Sequence, residues 1–477
     1  MTRRTILVVT DDALGSRMAG PAIRAWHIAE VLSAEHDVRL ASTTAADGSS
    51  PSFAVCDGAE GRLRDLADGM DVILLQGFTL YAHPWLAELG AHLVIDLYDP
   101  IHLEVLEGAA GPAPTRQREL SMSLDALRIV MEHGDFFLCA SERQRDLWLG
   151  HLSAFGRVNF ATYAQDPTVR ALIDVAPFGI DARPPQVGSP AIRGVIDGIG
   201  PDDQVLLWAG GVYNWFDPIT LIEAVHELSA GRPRLRLVFL GTKHPSLQDL
   251  STTVLQLAID RAAELGLLDT HVFFLPGWVP YAQRGAYLTD ADIGVSAHLL
   301  HVETAFSFRT RMLDYLWAGL PIVCTEGDEF AGIVARAGVG RVVAAGDRDG
   351  WVQALRELLD APQVRARCGQ AAREAARPFY WRQALAPLVE YCRDPRRAPD
   401  HDPARRPVGR LTRWGGRLDD RWSRVRSMSP RVLAVRIVRA PVRRTVLLVL
   451  RVLPAGVKQH LRELPAGNRA RLHRFFG

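Results

Sequence analysis

Two arginines stand two residues apart in Ser307-Phe308-Arg309-Thr310-Arg311-Met312-Leu313-Asp314, and the run continues to Trp317-Ala318-Gly319-Leu320-Pro321. Ser and Thr are N-cap residues and Gly followed by Pro is a stop signal, so the stretch predicts a helix from near Ser307 to Gly319. Arg309 and Arg311 would fall in its first turn, where the partial positive charge of the macrodipole disfavours cations. Free backbone N–H groups and two guanidinium groups at one helix end suit an anion, above all a phosphate or diphosphate. The competing reading is a surface helix with solvated arginines.

Three other groupings bear on chemistry. The loop Gly15-Ser16-Arg17-Met18-Ala19-Gly20-Pro21-Ala22-Ile23-Arg24 has glycines that permit close approach of the backbone, with Arg17 and Arg24 as cations. It otherwise serves as a plain strand–helix connection. Asp96, Asp99 and His102 follow a strand in Val94-Ile95-Asp96-Leu97-Tyr98-Asp99-Pro100-Ile101-His102, and each can orient a hydroxyl or take its proton. A lone loop histidine is more often structural. Tyr213, Asn214, Trp215 and Asp217 form a polar-aromatic loop whose rings can stack on a sugar or a base, or pack in the core. Asp290-Ala291-Asp292 has the spacing of a metal-binding pair, but it falls at the turn into an apolar strand and reads as structural.

The elements that must hold these residues come from hydrophobic patterning. Thr5–Thr10, Val38–Ser42, Val72–Leu75, Leu93–Asp96 and Phe136–Ala140 are short apolar runs separated by helical stretches such as Ala22–Glu35, Ser121–His133 and Glu142–His151. After the Pro/Gly-rich segment Asp181–Pro201 the pattern restarts. Its strands are Val205–Ala209, Leu235–Leu240, His271–Leu275, Ile293–Ser296, Pro321–Thr325 and Gly340–Val343, with helices Pro218–Leu228, Trp351–Leu359 and Val364–Ala375. Repeated βα units predict an α/β chain with two tandem Rossmann-like domains, 1–182 and 202–377, joined by a linker at 183–201, with a cleft between them for a ligand. A helix at 378–393 crosses back to the first domain, and a basic helical tail at 394–477 is dispensable for folding.

The chain has 477 residues, 48% hydrophobic and 23% charged, as expected of a globular protein of more than one domain. Its net charge of +1 hides an asymmetry, because 22 Lys/Arg face 6 Asp/Glu from Arg393 onward. Arginines border the apolar run Val446–Leu453, which reads as a basic amphipathic helix that attaches to an anionic membrane surface or docks on the body. Aromatic residues are not interleaved with the basic ones as nucleic-acid stacking requires, so no nucleic-acid partner is expected. Five scattered cysteines give no zinc spacing and suit a reducing cytoplasm. The first residues lack a signal-peptide run, and no segment has the length of a membrane span.

Over roughly residues 1–392 the chain resembles the family 4 glycosyltransferases of the GT-B fold. The residues that carry the resemblance are the Gly15–Arg24 loop, Ser141-Glu142, Pro177-Phe178-Gly179-Ile180-Asp181, Ala209–Pro218, Phe239–Pro245, Pro276-Gly277-Trp278, Ala291–Gly294 and the stretch Phe306–Pro321. The resemblance implies transfer of a sugar, with retention at the anomeric carbon, from a nucleotide sugar on the second domain to a glycan or lipid-linked acceptor on the first. It implies no metal and no other cofactor. Carried onto this chain it implies donor contacts from Arg309, Thr310, Arg311, Asp314, Lys243, Gly211, Asn214 and Phe308. It implies an acceptor or phosphate loop of Gly15, Arg17, Gly20 and Arg24, with His102, Asp99 and Glu303 nearest the chemistry. Two departures stand out. The family's paired glutamates fall on Phe306 and Asp314, so Glu303 replaces the first only if the loop bends. Gly211 and Phe216 stand where the family tends to carry cations, a loss that Arg309, Arg311 and Lys243 can offset. A catalytically inactive scaffold of the same fold and a nucleotide-sugar epimerase are the alternatives.

Overall fold

The computed structural model describes residues 2–401 apart from 16–17, 60, 110, 187, 242–252 and 278. Arg17, Lys243 and the basic tail helix therefore lie outside the described residues.

The first domain is built on seven parallel strands. β1 (Thr5–Thr10), β2 (Asp37–Ser42), β3 (Ala54–Asp57), β4 (Val72–Gln76), β5 (His92–Asp96), β6 (Phe136–Cys139) and β7 (Ile173–Val175) run in the order β3-β2-β1-β4-β5-β6-β7. The second domain has six: β8 (Gln204–Ala209), β9 (Leu235–Leu240), β10 (Val272–Phe274), β11 (Ile293–Ser296), β12 (Ile322–Thr325) and β13 (Gly340–Val343), in the order β10-β9-β8-β11-β12-β13. β4 is buried at every position and β8 at its centre, because helices cover both faces of each sheet. The two tandem Rossmann-like domains expected from the apolar runs are thus present. β3 and β7 were not expected. β3 is a half-exposed edge strand and β7 has three residues, and neither carries an apolar run.

Strand order reverses between β1 and β4 and again between β8 and β11. Ligands of open parallel sheets bind in the crevices beyond the strand ends at such points. In the second sheet, the loop after β8 and the segment after β11 flank that crevice. In the first, the ends of β4 and β5 lie beside it.

Three boundaries differ from expectation. Residues 183–201 are not a free linker. Asp290 accepts the backbone N–H groups of Ala191, Ile192 and Arg193, and Ile192 is fully buried, so this segment is sewn to the second domain. The return to the first domain is not one helix but three short segments, Arg377–Phe379, Trp381–Ala384 and Ala386–Arg393. Trp381 packs so closely on Gly179 that a Cβ there would lie 2.4 Å from its ring, which explains the glycine. Finally, the body continues past residue 394. Arg393 grips Glu35 through two bonds of 2.7 and 2.8 Å, Arg397 meets Asp135 at 2.8 Å, and Asp400 meets the buried Arg157 at 2.7 Å. Ending the chain after Cys392 would strip Asp135 and Arg157 of these partners. Breaking such a buried pair costs about 3–5 kcal/mol. Denaturant titration should therefore find the chain ending at Cys392 much less stable than the chain ending at His401.

Candidate active site

The crevice of the second domain carries the two arginines. The expected single helix is two. Val302–Phe306 is capped by the His301 side chain, and Thr310–Ala318 begins after Arg309, which is its N-cap in extended conformation. The break has a local cause. Ser307 Oγ donates to Thr304 O at 3.0 Å, and Phe308 turns into the core against Phe330, 4.7 Å away between ring centres. Phe308 thus packs its ring in the core. Gly319 ends the second helix at φ 67°, the left-handed conformation expected of a glycine stop.

Glu303 is fully buried and accepts both terminal nitrogens of Arg309 at 2.8 and 2.6 Å. Both of its oxygens are engaged and the side chain is fully buried, so it positions Arg309 and is not the group nearest the chemistry that the resemblance implied. Arg311 donates to the Gly211 carbonyl at 2.6 Å, and burial pulls its pKa down to about 10. Both guanidinium groups lie over the Phe216 ring, at 5.0 Å for Arg309 and 4.2 Å for Arg311. The ring that stands where the family tends to have a cation is therefore the platform for two cations from the facing segment.

The site keeps unspent polar capacity. Arg309 Nε, Arg311 Nη1, Asn214 Oδ1 and Trp215 Nε1 are buried and have no hydrogen-bond partner among the described residues. Buried donors of this kind are rare unless a ligand or ordered water meets them. Gly211 is required by close approach, since a Cβ would lie 2.8 Å from the Tyr213 ring, which stacks on Trp215 at 4.9 Å. Thr310 is the first residue of the helix, beside the arginines. Asp314 lies one turn further and accepts Arg284 Nε at 2.8 Å, with Arg284 held over Tyr281 and Trp317. Its carboxylate stays partly exposed, so a ribose contact would be made by a pair and not by a lone acid.

On the first domain, Arg24 is not a phosphate ligand. It is fully buried, binds Asp96 through two bonds of 2.7 and 2.9 Å, and donates to the carbonyls of Ala176 and Pro177 at 2.8 Å. Gly20 starts the Gly20–Ser33 helix, where a Cβ would lie 3.6 Å from the Tyr98 hydroxyl, and Gly15 sits beside Asp47. His102 packs near Trp148 and His151, and burial lowers its pKa to about 4, so its imidazole is neutral. Burial pushes Asp99 up to about 7. Glu104, on the Ile101–Gly108 helix, is pushed well above the carboxylate range by burial and then by the nearby Asp99 and Glu303 charges. No sequence motif marks Glu104; its only signal is that it lies five residues beyond Asp99, on the helix that follows.

The domains meet at this place. Gln144 donates to the Phe306 carbonyl at 2.9 Å, Arg143 donates to the Gly327 and Ala305 carbonyls at 2.6 and 3.2 Å, and Gly108 faces Trp215. Asp290 and Asp292 are taken up by Arg193 and backbone N–H groups away from the arginines. No group of three or more metal-ligating side chains is gathered among the described residues.

Two parallel Rossmann-like sheets, each with its crevice at a switch point and the two crevices facing across a cleft, define a GT-B protein. Residues 203–361 match the family model described as Glycosyl transferases group 1. The chain is 29% identical over 231 residues to a D-inositol 3-phosphate glycosyltransferase of Saccharomonospora viridis, covering 48% of this chain and 51% of that one. It is 24% identical over 246 residues to a phosphatidyl-myo-inositol mannosyltransferase of Mycolicibacterium smegmatis, covering 50% and 57%. The chain thus spans about half the length of the curated relatives it matches. Among solved structures, Anabaena HepE in complex with UDP-glucose superposes with a TM-score of 0.58 at 15% identity, over 81% of this chain and 100% of that one.

Two measurements follow. Glu303→Ala leaves Arg309 buried without its counter-charge and should lower stability by about 3–5 kcal/mol in denaturant titration. Asp99 has a folded pKa above its unfolded value, so its ionisation opposes folding above about pH 7 and this penalty fades as pH falls. Asp99→Asn should therefore raise Tm at pH 8 relative to the native chain, and the difference should shrink toward pH 5.

Proposed function

We propose that this protein transfers a sugar, with retention at the anomeric carbon, from a nucleotide-sugar donor to a hydroxyl of a glycan or lipid-linked cell-envelope acceptor. The names of its relatives favour an acceptor built on inositol phosphate or phosphatidylinositol. The observation that carries the reading is the buried arginine pair at the start of the Thr310–Ala318 helix, with unpaired N–H groups on both side chains. In glycosyl transfer the charge that develops sits on the leaving diphosphate. Preorganised donors in a water-poor cleft stabilise it at little reorganisation cost. Arg311 carries the uncompensated charge, while Arg309 is balanced by Glu303 and contributes directed N–H groups. Asn214 and Trp215 offer one acceptor and one donor beside them for the sugar or the base. Asp314 with Arg284 is placed to bind the ribose. On the facing domain Asp99 and Glu104 are suited to accepting from the incoming hydroxyl.

With cations supplied by the chain, the reaction needs no metal or other cofactor. The enzyme works in the cytoplasm, and the basic tail brings it to the anionic inner face of the membrane. Among the described residues no helix is long and apolar enough to cross a membrane.

Arg311→Ala should lower turnover by about 10²–10³-fold, the usual effect of removing one charge-stabilising donor. Nucleotide-sugar hydrolysis and transfer, assayed over a panel of donors with and without EDTA, is the measurement. Complete loss on chelation with recovery on adding magnesium or manganese would refute metal independence. A second reading is favoured by Phe306 and by the engagement of both Glu303 oxygens: a scaffold that binds the nucleotide sugar without turnover. It requires thermal protection by a nucleotide sugar with no hydrolysis from any donor.

A further inference from the structure

Exposed aliphatic side chains are few among the described residues, yet three of them fall within four positions. Leu299, Leu300 and Val302, in the turn from β11 into the Val302–Phe306 helix, are 49%, 56% and 47% exposed. Local conformation produces this. His301 is extended, with φ −150° and ψ 175°, and its ring turns inward to cap the helix at Thr304 and to meet the Trp215 carbonyl at 3.4 Å. Successive residues of an extended segment point to opposite sides, so Leu300 and Val302 project outward. Leu300 lies against Gly327, where a Cβ would come within 2.5 Å of it. From the first domain, Glu107 approaches His301 to 3.9 Å, and its neighbour Leu106 is 51% exposed. Leu106 and the 299–302 run therefore stand on the two sides of one interdomain seam. The seam adjoins the donor site, for Gly108 faces Trp215, and Glu303, next to Val302, grips Arg309.

Single exposed leucines need no explanation, but a cluster of them at the edge of a cleft marks a contact surface. A tightly bound protein, or a second copy of the chain, would cover the edge across which substrates pass. The exposed run also lacks the Trp, Tyr and Arg side chains that anchor protein interfaces, where Leu and Val are under-represented. Hydrocarbon has no hydrogen-bonding groups to satisfy, and aliphatic side chains gain by leaving water for it. We propose that Leu106, Leu299, Leu300 and Val302 form an aliphatic rim that dips into the acyl region of a lipid bilayer and seats the cleft against it. The rim supplies apolar contact where the basic tail supplies charge. The membrane contact stands on exposure and chemistry alone. Its service to catalysis, presenting the cleft to a lipid-linked acceptor, rests on the glycosyl-transfer reading.

The test places an environment-sensitive fluorophore on Leu300→Cys in the full-length chain, with Cys56→Ser removing the half-buried thiol; the other four cysteines are buried. The probe is a vesicle of phosphatidylcholine and phosphatidylglycerol. Vesicles should shift the emission to the blue, and nitroxide-bearing acyl chains should quench it. The same label on Leu257→Cys, an exposed position of the Thr253–Glu264 helix, should do neither. Co-sedimentation in high salt screens the charge of the tail and leaves the apolar contact. There Leu299→Ser with Leu300→Ser should weaken vesicle binding about tenfold, as two side chains lose their burial. Its nucleotide-sugar hydrolysis in solution should stay native. Circular dichroism establishes folding; should the double variant fail to fold, Leu106→Ser on the other domain takes its place. No vesicle binding, an unshifted Leu300 label on bound protein, an equal shift at Leu257, or native binding by the folded serine variants would overturn the proposal. So would a label already shifted without vesicles, the mark of a protein cover. Absence of hydrolysis by native protein would remove the transfer reading and leave the vesicle result standing.

Discussion

Placing two guanidinium groups at the positive end of a helix, out of water, is electrostatically unfavourable, and the second domain is organised around solving that problem. Glu303 balances one of them completely. The Phe216 ring and the Gly211 carbonyl hold the other. The solution needs the chain to break at Ser307, so that Glu303 on one short helix can face back toward the N-cap of the next. It also needs the β8 loop to come close enough for the Gly211 carbonyl to reach Arg311. A buried pair of this kind adds little net stability, because desolvation offsets the attraction, yet losing one partner is severe. Its value here is geometric, since Arg309 cannot move without stranding a charge.

The first domain repeats the device with the opposite outcome. Arg24 is fully buried and spends four N–H groups on Asp96 and the adjoining carbonyls, so it is committed to the fold and not to a ligand. What remains on that side is carboxyl and amide oxygen: Asp99, Glu104 and Gln76. The cleft therefore has a cationic wall and an accepting wall. A group that leaves as an anion suits the first, and a group that arrives with a hydroxyl proton suits the second.

The sheets were legible because strands buried on both faces have to be apolar throughout. Thr5–Thr10, Leu235–Leu240, Ile293–Ser296 and Gly340–Val343 coincide with their apolar runs residue for residue. The site was legible only in part. Arg309, Arg311 and the stop at Gly319 follow from local rules. That Arg24 would be consumed by Asp96, 72 positions away, or Glu303 by Arg309, depends on which side chains the fold brings together. Local patterning carries no such information. Glu104 and Gln76 went unnoticed for the same reason. Their significance lies in burial, and that is a property of three-dimensional surroundings. The tail boundary failed because composition changes near residue 394 while tertiary contacts continue to Asp400.

The interdomain clamp made by Arg143 and Gln144 has a consequence of another kind. Every acceptor it uses is a main-chain carbonyl, at Ala305, Phe306 and Gly327. The junction thus reads the path of the opposing backbone and is indifferent to the side chains attached to it. Residue 306 can drift from an acid to a phenylalanine without loosening the joint, so selection on substrate chemistry at the rim of the cleft is decoupled from selection on the mechanics of the two domains.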